Sequence, residues 1–507
     1  MCGIVAAHGP IPGSICAQML ERISHRGPDG EGTRRVGDSW LGHRRLAIVD
    51  VDGGDQPILA AQGDAAMVGN GEIYNHDVLR SRLEGASYTT RSDNEIALQL
   101  FRAEGVAGLA ALRGMFALVI AHHDGRFVAV RDPLGIKPLY WAQRDGTTLF
   151  ASEMKAFPAK WRDGISAFPP GHSWTPEGGL EPLFAAPAAG ATPERPVTAG
   201  GDEPSEAVFA AVRDTLVQAV ERRLMGDVPV GVFLSGGLDS SLVAAIAARS
   251  AATHGRKVSS FAVGLEGSDD IIAARVMAQE LGTDHHEMLY TAEDLLAALP
   301  ATIACIESFD PMLVHSAVPN YLLAELAGEH VKVVLTGEGA DELYAGYTYY
   351  RDYRDADELH AELVRSVRGL HNLNLQRCDR TTMAHGLEAR VPFLDLDVID
   401  LAFSLPTAWK QPRADRPEKW LLRQAFEGWL PEEFLWRRKE QFGDGTGAST
   451  VLRNAAELEC SVQTYEHLRE QIDPPLRTRE EAVYWRIFHE ALAGVSTGGT
   501  VGRFSVP

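Results

Sequence analysis

The hydrophobic period changes along the chain. Gly3 to Ala7, Met115 to Ile120, Phe127 to Arg131, Leu139 to Ala142 and Leu149 to Ala151 are short apolar runs bounded by polar or turn residues. Runs of this length predict strands, and His122-His123-Asp124-Gly125 and Arg144-Asp145-Gly146 between them predict antiparallel hairpins. His43 to Val49 begins polar and turns apolar, which predicts another strand, and Val68 to Asn75 reads as a strand interrupted by Gly69-Asn70-Gly71. Ile96 to Arg102 has helical spacing behind Ser92-Asp93-Asn94-Glu95, an N-cap signal. Residues 185–204, rich in Ala, Gly and Pro without apolar period, predict a linker.

Beyond the linker the pattern alternates. Glu206 to Leu224 reads as a helix, and strands at Val230 to Leu234, Val258 to Gly264, His286 to Leu289 and Val331 to Leu335 alternate with helical stretches. Those stretches are Leu242 to Arg249, Ile271 to Leu281, Leu295 to Ile306 and Leu322 to Leu326. This is the signature of a parallel α/β domain. A helical C-terminal part follows, in which Trp409, Trp420, Trp429, Trp436 and Trp485 are expected to pack rather than to stack on a ligand. The expected organisation is an α+β domain over residues 2–190, an α/β domain over 205–490, and a frayed tail over 491–507 rich in Gly, Ser and Thr.

Bulk properties narrow the function. The chain has 507 residues, enough for two or three domains, and a formal charge of −21, which opposes a non-specific nucleic-acid surface. Its five cysteines are scattered and none pairs at zinc-site spacing, so a reducing compartment is expected. No leader pattern opens the sequence and no 18-residue apolar run interrupts it, so the expected location is the cytoplasm, away from membranes.

Candidate chemistry begins at Cys2. Gly3 is small, and loss of the initiator methionine would leave Cys2 with a free α-amine to act as its base. The amine titrates near ~8 and a free thiol near ~8.5, so the pair is matched. Alternatively Cys2 is a buried cysteine near a terminus. Arg26-Gly27-Pro28-Asp29-Gly30 is a turn beside a cation, and Arg45 has the fork to clamp a carboxylate. Asn70 with the Gly71 N–H is a donor pair suited to an oxyanion; a hairpin turn is the other reading.

The second chemical centre is Val230-Gly231-Val232-Phe233-Leu234-Ser235-Gly236-Gly237-Leu238-Asp239-Ser240-Ser241. An apolar strand running into Ser-Gly-Gly and then a helix makes an anion cradle from converging N–H groups and a helix N-terminus. It lacks the Gly-Lys-Ser/Thr ending of a Walker loop. Asp239 would repel a phosphate unless a cation lies between, so the loop predicts magnesium. Thr336-Gly337-Glu338-Gly339-Ala340-Asp341-Glu342 repeats this logic after the Val331 strand, with an acidic helix cap as its plainer reading. Open parallel sheets bind ligands beyond their strands' carboxyl ends, which places adenosine near Leu234 and Val263, although Val263 also suits a core position.

Cys2, the Gly-Pro-Asp-Gly turn, Arg45, Asn70-Gly71-Glu72 and Asp93 together resemble the glutamine amidotransferase domain that begins with a catalytic cysteine; Arg131 to Tyr140 and Ala151 to Ala156 are also close to family segments. The two glycine-containing loops resemble the ATP-pyrophosphatase family in its asparagine-synthetase branch, a match extended by Ser260 to Gly264, Leu281 to Glu287, Gly386 to Asp395 and Arg437 to Phe442. The resemblance implies an αββα N-terminal-nucleophile hydrolase fold followed by an adenine-nucleotide α-hydrolase-like synthetase domain. It implies Cys2 as nucleophile, Asn70 and Gly71 as oxyanion hole, Arg45 on the glutamine carboxylate, and Glu72 and Asp93 toward its amino end.

In the synthetase half it implies ATP on Leu234, Ser235, Gly236, Gly237, Asp239, Ser240, Val263, Thr336 and Gly337, with Mg2+ on Asp239 and Asp341. Glu338 would act near the attacking ammonia, Lys439 would neutralise the leaving pyrophosphate, and Arg390 and Asp395 would serve either the scaffold or substrate. The implied reaction makes asparagine from glutamine, aspartate and ATP, with ammonia crossing internally, and the expected assembly is a homodimer. One alternative keeps both chemistries and amidates another carboxylate in a peptide or secondary-metabolite pathway. The β-lactam-closing branch lacks the N-terminal cysteine present here, and a nucleic-acid-modifying enzyme is opposed by the charge.

Overall fold

The computed structural model describes residues 2–187, 203–437 and 445–504. Its first part holds two antiparallel six-stranded sheets. One runs in the order Ser166–Ala167, Tyr140–Arg144, Thr147–Ala151, Gly3–His8, Ser39–Arg45 and Gly30–Val36. The other runs Gly179–Pro182, His172–Thr175, Phe127–Arg131, Gly114–His122, Ala65–Ile73 and Ile58–Leu59.

Gly3–His8 explains why the opening run is apolar at every position: both of its faces are covered. Ile4 and Ala6 face Val68, Ala117, Val119 and Ala129 across the inter-sheet core, while Val5 and Ala7 join Cys16, Met19 and Leu20 of helix Gly13–Glu21. On the outer face of the second sheet, Met67, Phe116 and Leu118 pack with Ile96, Leu100 and Phe101 of helix Glu95–Glu104. The layers are therefore helix, sheet, sheet, helix, as expected.

The second part is built on a five-stranded parallel sheet in the order Asp284–Leu289, Ser259–Gly264, Val230–Phe233, Val333–Leu335 and Glu388–Arg390. The first four strands match sequence expectations. The fifth does not appear in the hydrophobic pattern, because Glu388 and Arg390 carry charges that are fully buried. The chain order reverses between Val230–Phe233 and Val333–Leu335, so a crevice opens there at the strands' carboxyl ends.

Two expectations are corrected. The strand near His43 is Ser39–Arg45, ending where the apolar run begins. Leu46 and Ile48 are instead buried against Val333 and Val230 of the parallel sheet, so their hydrophobicity serves the contact between the two parts. The tail is docked rather than frayed as far as it is described. The Phe504 N–H donates to Asp310 Oδ2 at 3.0 Å, Arg477 Nη1 donates to the Phe504 carbonyl at 2.6 Å, and Arg503 Nη2 lies 2.9 Å from Glu481.

A layer of buried charge joins the two parts. Arg26, wholly inaccessible, bonds Glu153 at 2.7 Å and Asp379 at 2.9 and 3.2 Å, and its Nε holds the Cys2 carbonyl at 3.0 Å. The Met154 and Lys155 N–H groups donate to the Glu307 carboxylate at 2.9 and 2.7 Å. Removing one partner from such a network strands the others without solvent. Arg26→Met is therefore expected to destabilise the protein by about 3–5 kcal/mol, read as a lowered midpoint of thermal unfolding.

Candidate active sites

The first site grows from the strand pair Gly3–His8 and Ser39–Arg45 and from the facing strand Ala65–Ile73. The Cys2 N–H donates to Asn70 Oδ1 at 2.9 Å, and Cys2 Sγ lies 3.9 Å from the Leu46 carbonyl. Asn70 is fully buried, yet its Nδ2 has no hydrogen-bond partner among the described residues. A buried amide donor without a partner costs stability unless a ligand completes it.

The Gly-Asn-Gly stretch is not a hairpin. Ala65–Ile73 is one continuous strand, and Gly71 sits at φ +132°, where a Cβ would lie 1.9 Å from the Met115 carbonyl oxygen. Only glycine fits that close approach. Nor do the Asp93 and Asn94 side chains cap the helix that follows, although Asn94 stands at its N-cap position. Asp93 Oδ2 accepts from the Ile73 N–H at 2.6 Å, and Asn94 Nδ2 donates to the Gly71 carbonyl at 2.9 Å, so both hold the strand that carries Asn70.

Glu72 lies 3.3 Å from Arg390 Nη2 of the parallel-sheet domain. Burial, with the Glu388 and Asp93 carboxylates near it, raises its pKa well above the ordinary range, and burial raises Asp93 too. Arg45 bonds the Asp50 and Val51 carbonyls at 2.7 and 2.9 Å and the exposed Asp55 carboxylate at 2.9 Å. Its guanidinium is thus aimed by a backbone loop and shared with a carboxylate that solvent can release. Cys2 is thus bonded to Asn70, with Gly71 and Glu72 beside Asn70 on one strand and Asp93 bonded to that strand's last residue, while the Arg45 guanidinium is turned onto the loop of residues 50–55.

The second site occupies the crevice of the parallel sheet, a cavity of about 1390 Å³. Leu234, Ser235, Gly237, Asp239, Ser240 and Val263 line it from one side, with Thr336, Gly337, Glu338 and Asp341 from the other. Gly236 takes φ +72°, and a Cβ there would lie 2.5 Å from Ala273 Cβ, so the turn requires glycine. Ser235 and Ser240 tie the loop with an Oγ to Oγ contact of 3.1 Å. A Cβ on Gly337 would sit 2.8 Å from Asp239 Cβ, which is how closely the two loops abut.

Lys419 had no visible signal in the sequence. Its Nζ bridges Asp239 Oδ2 and Asp341 Oδ1, the latter at 2.6 Å, and those carboxylates raise its pKa against the effect of burial. Its backbone adopts φ +57°, a left-handed conformation uncommon outside glycine and often found at functional positions. Arg437 Nη1 donates to the Gly236 carbonyl at 3.2 Å, and Arg377 pairs with Glu338, whose pKa burial raises. Lys439 lies outside the described residues. Lys419 stands between the two carboxylates, and among the described residues no group of three or more His, Cys, Asp or Glu could hold a metal ion, so a hard divalent cation here would need phosphate oxygens to complete its shell.

An αββα domain with a near-terminal cysteine, joined to a parallel-sheet domain with a nucleotide-type crevice, defines an amidotransferase coupled to a synthetase. Residues 1–167 match the model of the glutamine amidotransferase domain, and residues 211–355 and 351–491 match that of asparagine synthase. Glutamine-hydrolysing asparagine synthetase 3 of Arabidopsis thaliana is 40% identical over 477 residues, covering 89% of this chain and 80% of its own. The probable glutamine-hydrolysing asparagine synthetase of Schizosaccharomyces pombe is 38% identical over 544 residues, covering 99% and 96%. That of Sandersonia aurantiaca is 36% identical over 518 residues, covering 97% and 96%. The chain belongs to the glutamine-hydrolysing asparagine synthetase family.

Burial is the largest influence on the Cys2 thiol and pushes its pKa up. The neutral thiol therefore predominates at neutral pH, and thiolate appears only as pH rises past the raised value. Alkylation of Cys2 by iodoacetamide, followed by mass spectrometry of the N-terminal peptide, is expected to rise with pH through a midpoint above that of a free cysteine. A midpoint below it would show a preformed thiolate.

Proposed function

We propose that the protein makes asparagine from aspartate, ATP and glutamine-derived ammonia. The observation that carries this reading is the buried, unpartnered Asn70 Nδ2 beside Cys2, in a chain whose other domain opens the crevice flanked by the Ser235 and Thr336 loops. In the first site Cys2 Sγ attacks the side-chain amide carbon of glutamine. Asn70 Nδ2 and the Gly71 N–H take the developing oxyanion, ammonia leaves, and water cleaves the thioester to glutamate. Arg45 takes the glutamine carboxylate, which replaces Asp55, while Glu72 and Asp93 receive the ammonium group.

In the second site a β-carboxylate oxygen of aspartate attacks the α-phosphorus of ATP, and pyrophosphate leaves. Ammonia then attacks the acyl carbon, and AMP leaves as the amide forms. Leu234 and Val263 flank adenosine, while Ser235 to Ser240, Thr336 and Gly337 cradle the phosphates. Lys419 supplies the cationic charge beside them, together with Lys439 by family resemblance. Asp239 and Asp341 would hold magnesium, which when bound neutralises charge on the departing pyrophosphate. Glu338, paired with Arg377, lies where ammonia meets the activated carboxylate.

Transfer of ammonia inside the protein is implied by the family resemblance, and it would keep from solvent an ammonia that would otherwise be protonated. The cytoplasm is the expected location, all five cysteines being free and buried. Among the described residues no single helix is long and apolar enough to cross a membrane.

Cys2→Ala is expected to abolish glutamine-dependent synthesis while retaining synthesis from ammonium salts. Continued glutamine use would remove Cys2 from the mechanism. Asn70→Ala is expected to lower glutaminase turnover by roughly 10²- to 10³-fold, the cost of one oxyanion donor. Pyrophosphate release across a panel of carboxylates tests the acceptor: response to aspartate supports the reading, whereas indifference to aspartate with response to another acid favours the alternative amidation.

A further inference from the structure

Arg390 belongs to the synthetase domain, on the edge strand Glu388–Arg390, yet its guanidinium reaches the first active site. The side chain is wholly buried and held on three sides. Nε donates to Glu388 Oε1 at 2.6 Å, Nη1 donates to the Arg223 carbonyl at 2.7 Å and also to that of Met225, and Nη2 lies 3.3 Å from Glu72 Oε1. A side chain fixed by backbone carbonyls and a carboxylate has little freedom to move, so Nη2, which makes no hydrogen bond among the described residues, is kept as a buried charge beside Glu72.

Glu72 needs that cation. Its other oxygen, Oε2, makes no hydrogen bond among the described residues, and it is buried in the company of Asp93 and Glu388. Carboxylates gathered without water favour protonation, and a protonated Glu72 would be a poor partner for an ammonium group. Arg390 offsets part of that repulsion while Oε2 stays unpaired. A second contact from the same domain reinforces the arrangement: the Arg223 guanidinium lies 4.6 Å over the ring of Tyr74, two residues beyond Glu72.

We propose that Arg390 is a positioning residue for the glutaminase site, contributed by the synthetase domain, which holds Glu72 so that its free oxygen receives the α-ammonium group of glutamine. The inference rests on the reading of Glu72 as the ammonium partner. It makes the glutamine site incomplete in an isolated N-terminal domain, and it ties glutamine affinity to correct docking of the two domains.

The test uses the full-length enzyme and compares synthesis from glutamine with synthesis from ammonium chloride. Arg390→Met is expected to raise the KM for glutamine at least tenfold, leaving ammonia-dependent turnover within a factor of two. Arg390→Lys, which keeps the charge without the fork, is expected to fall between. A glutamine KM within twofold of the parent, or a parallel fall in both activities, would overturn the proposal, the latter indicating a purely structural residue. Should Arg390→Met fail to fold, Arg390→Lys decides alone: a KM raised threefold or more with ammonia-dependent turnover intact supports the role, and an unchanged KM rejects it. A glutamine KM left unchanged by Glu72→Gln would sink the underlying reading. An unchanged KM in the Arg390 variants, with the KM raised in Glu72→Gln, would sink only this role.

Discussion

The structure depends on a layer of ion pairs sealed between the domains. Arg26, Arg380 and Arg390 are among its fully buried side chains, facing Glu153, Glu307, Asp379, Glu388 and Glu72. Desolvating so many charges yields little net stability, because the attraction they gain is offset by the hydration they lose. Their value lies in register. Arg26 bonds Glu153 and Asp379 across the seam, so a small slip of one domain would leave several charges buried and unpaired. Leu46 and Ile48 add apolar contact to the same seam.

That constraint accounts for where the chemistry sits. Arg26 holds the Cys2 carbonyl while its other nitrogens bind Asp379 of the second domain, so the position of the nucleophile is linked to the interface. The synthetase crevice follows from a different rule, the reversal of strand order between Val230–Phe233 and Val333–Leu335. Glycine at 337 then lets the loops after those strands approach each other closely, and Asp239 and Asp341 meet on one cation.

Much of this was legible before any coordinates. Local rules sufficed for the central strands, whose apolar runs are uninterrupted because both faces are covered, and for the phosphate-type loop, where a strand, two glycines and a helix adjoin in sequence. The first-site residues were legible through motif resemblance, not periodicity: Asp93 and Asn94 look like an ordinary helix cap until Asp93 is seen bonded to Ile73 and Asn94 to Gly71. Leu46 to Val49 misled for a physical reason, since an apolar run reads the same whether it pairs as a strand or plugs an interface. The tail misled because its polar composition is satisfied by partners such as Asp310 and Glu481, remote in sequence.

By itself, then, the amino-acid order determined the two fold types, the strands of the parallel core apart from its charged edge, and the chemical kinds of the two sites, because these arise from neighbours along the chain. Tertiary structure alone decided which charges meet. Lys419 between Asp239 and Asp341, Arg377 on Glu338 and Arg390 on Glu72 join residues separated by up to hundreds of positions. Such pairings leave no local period, since a buried cation and a solvated one are written with the same residue. They become visible only when the fold removes the water around them.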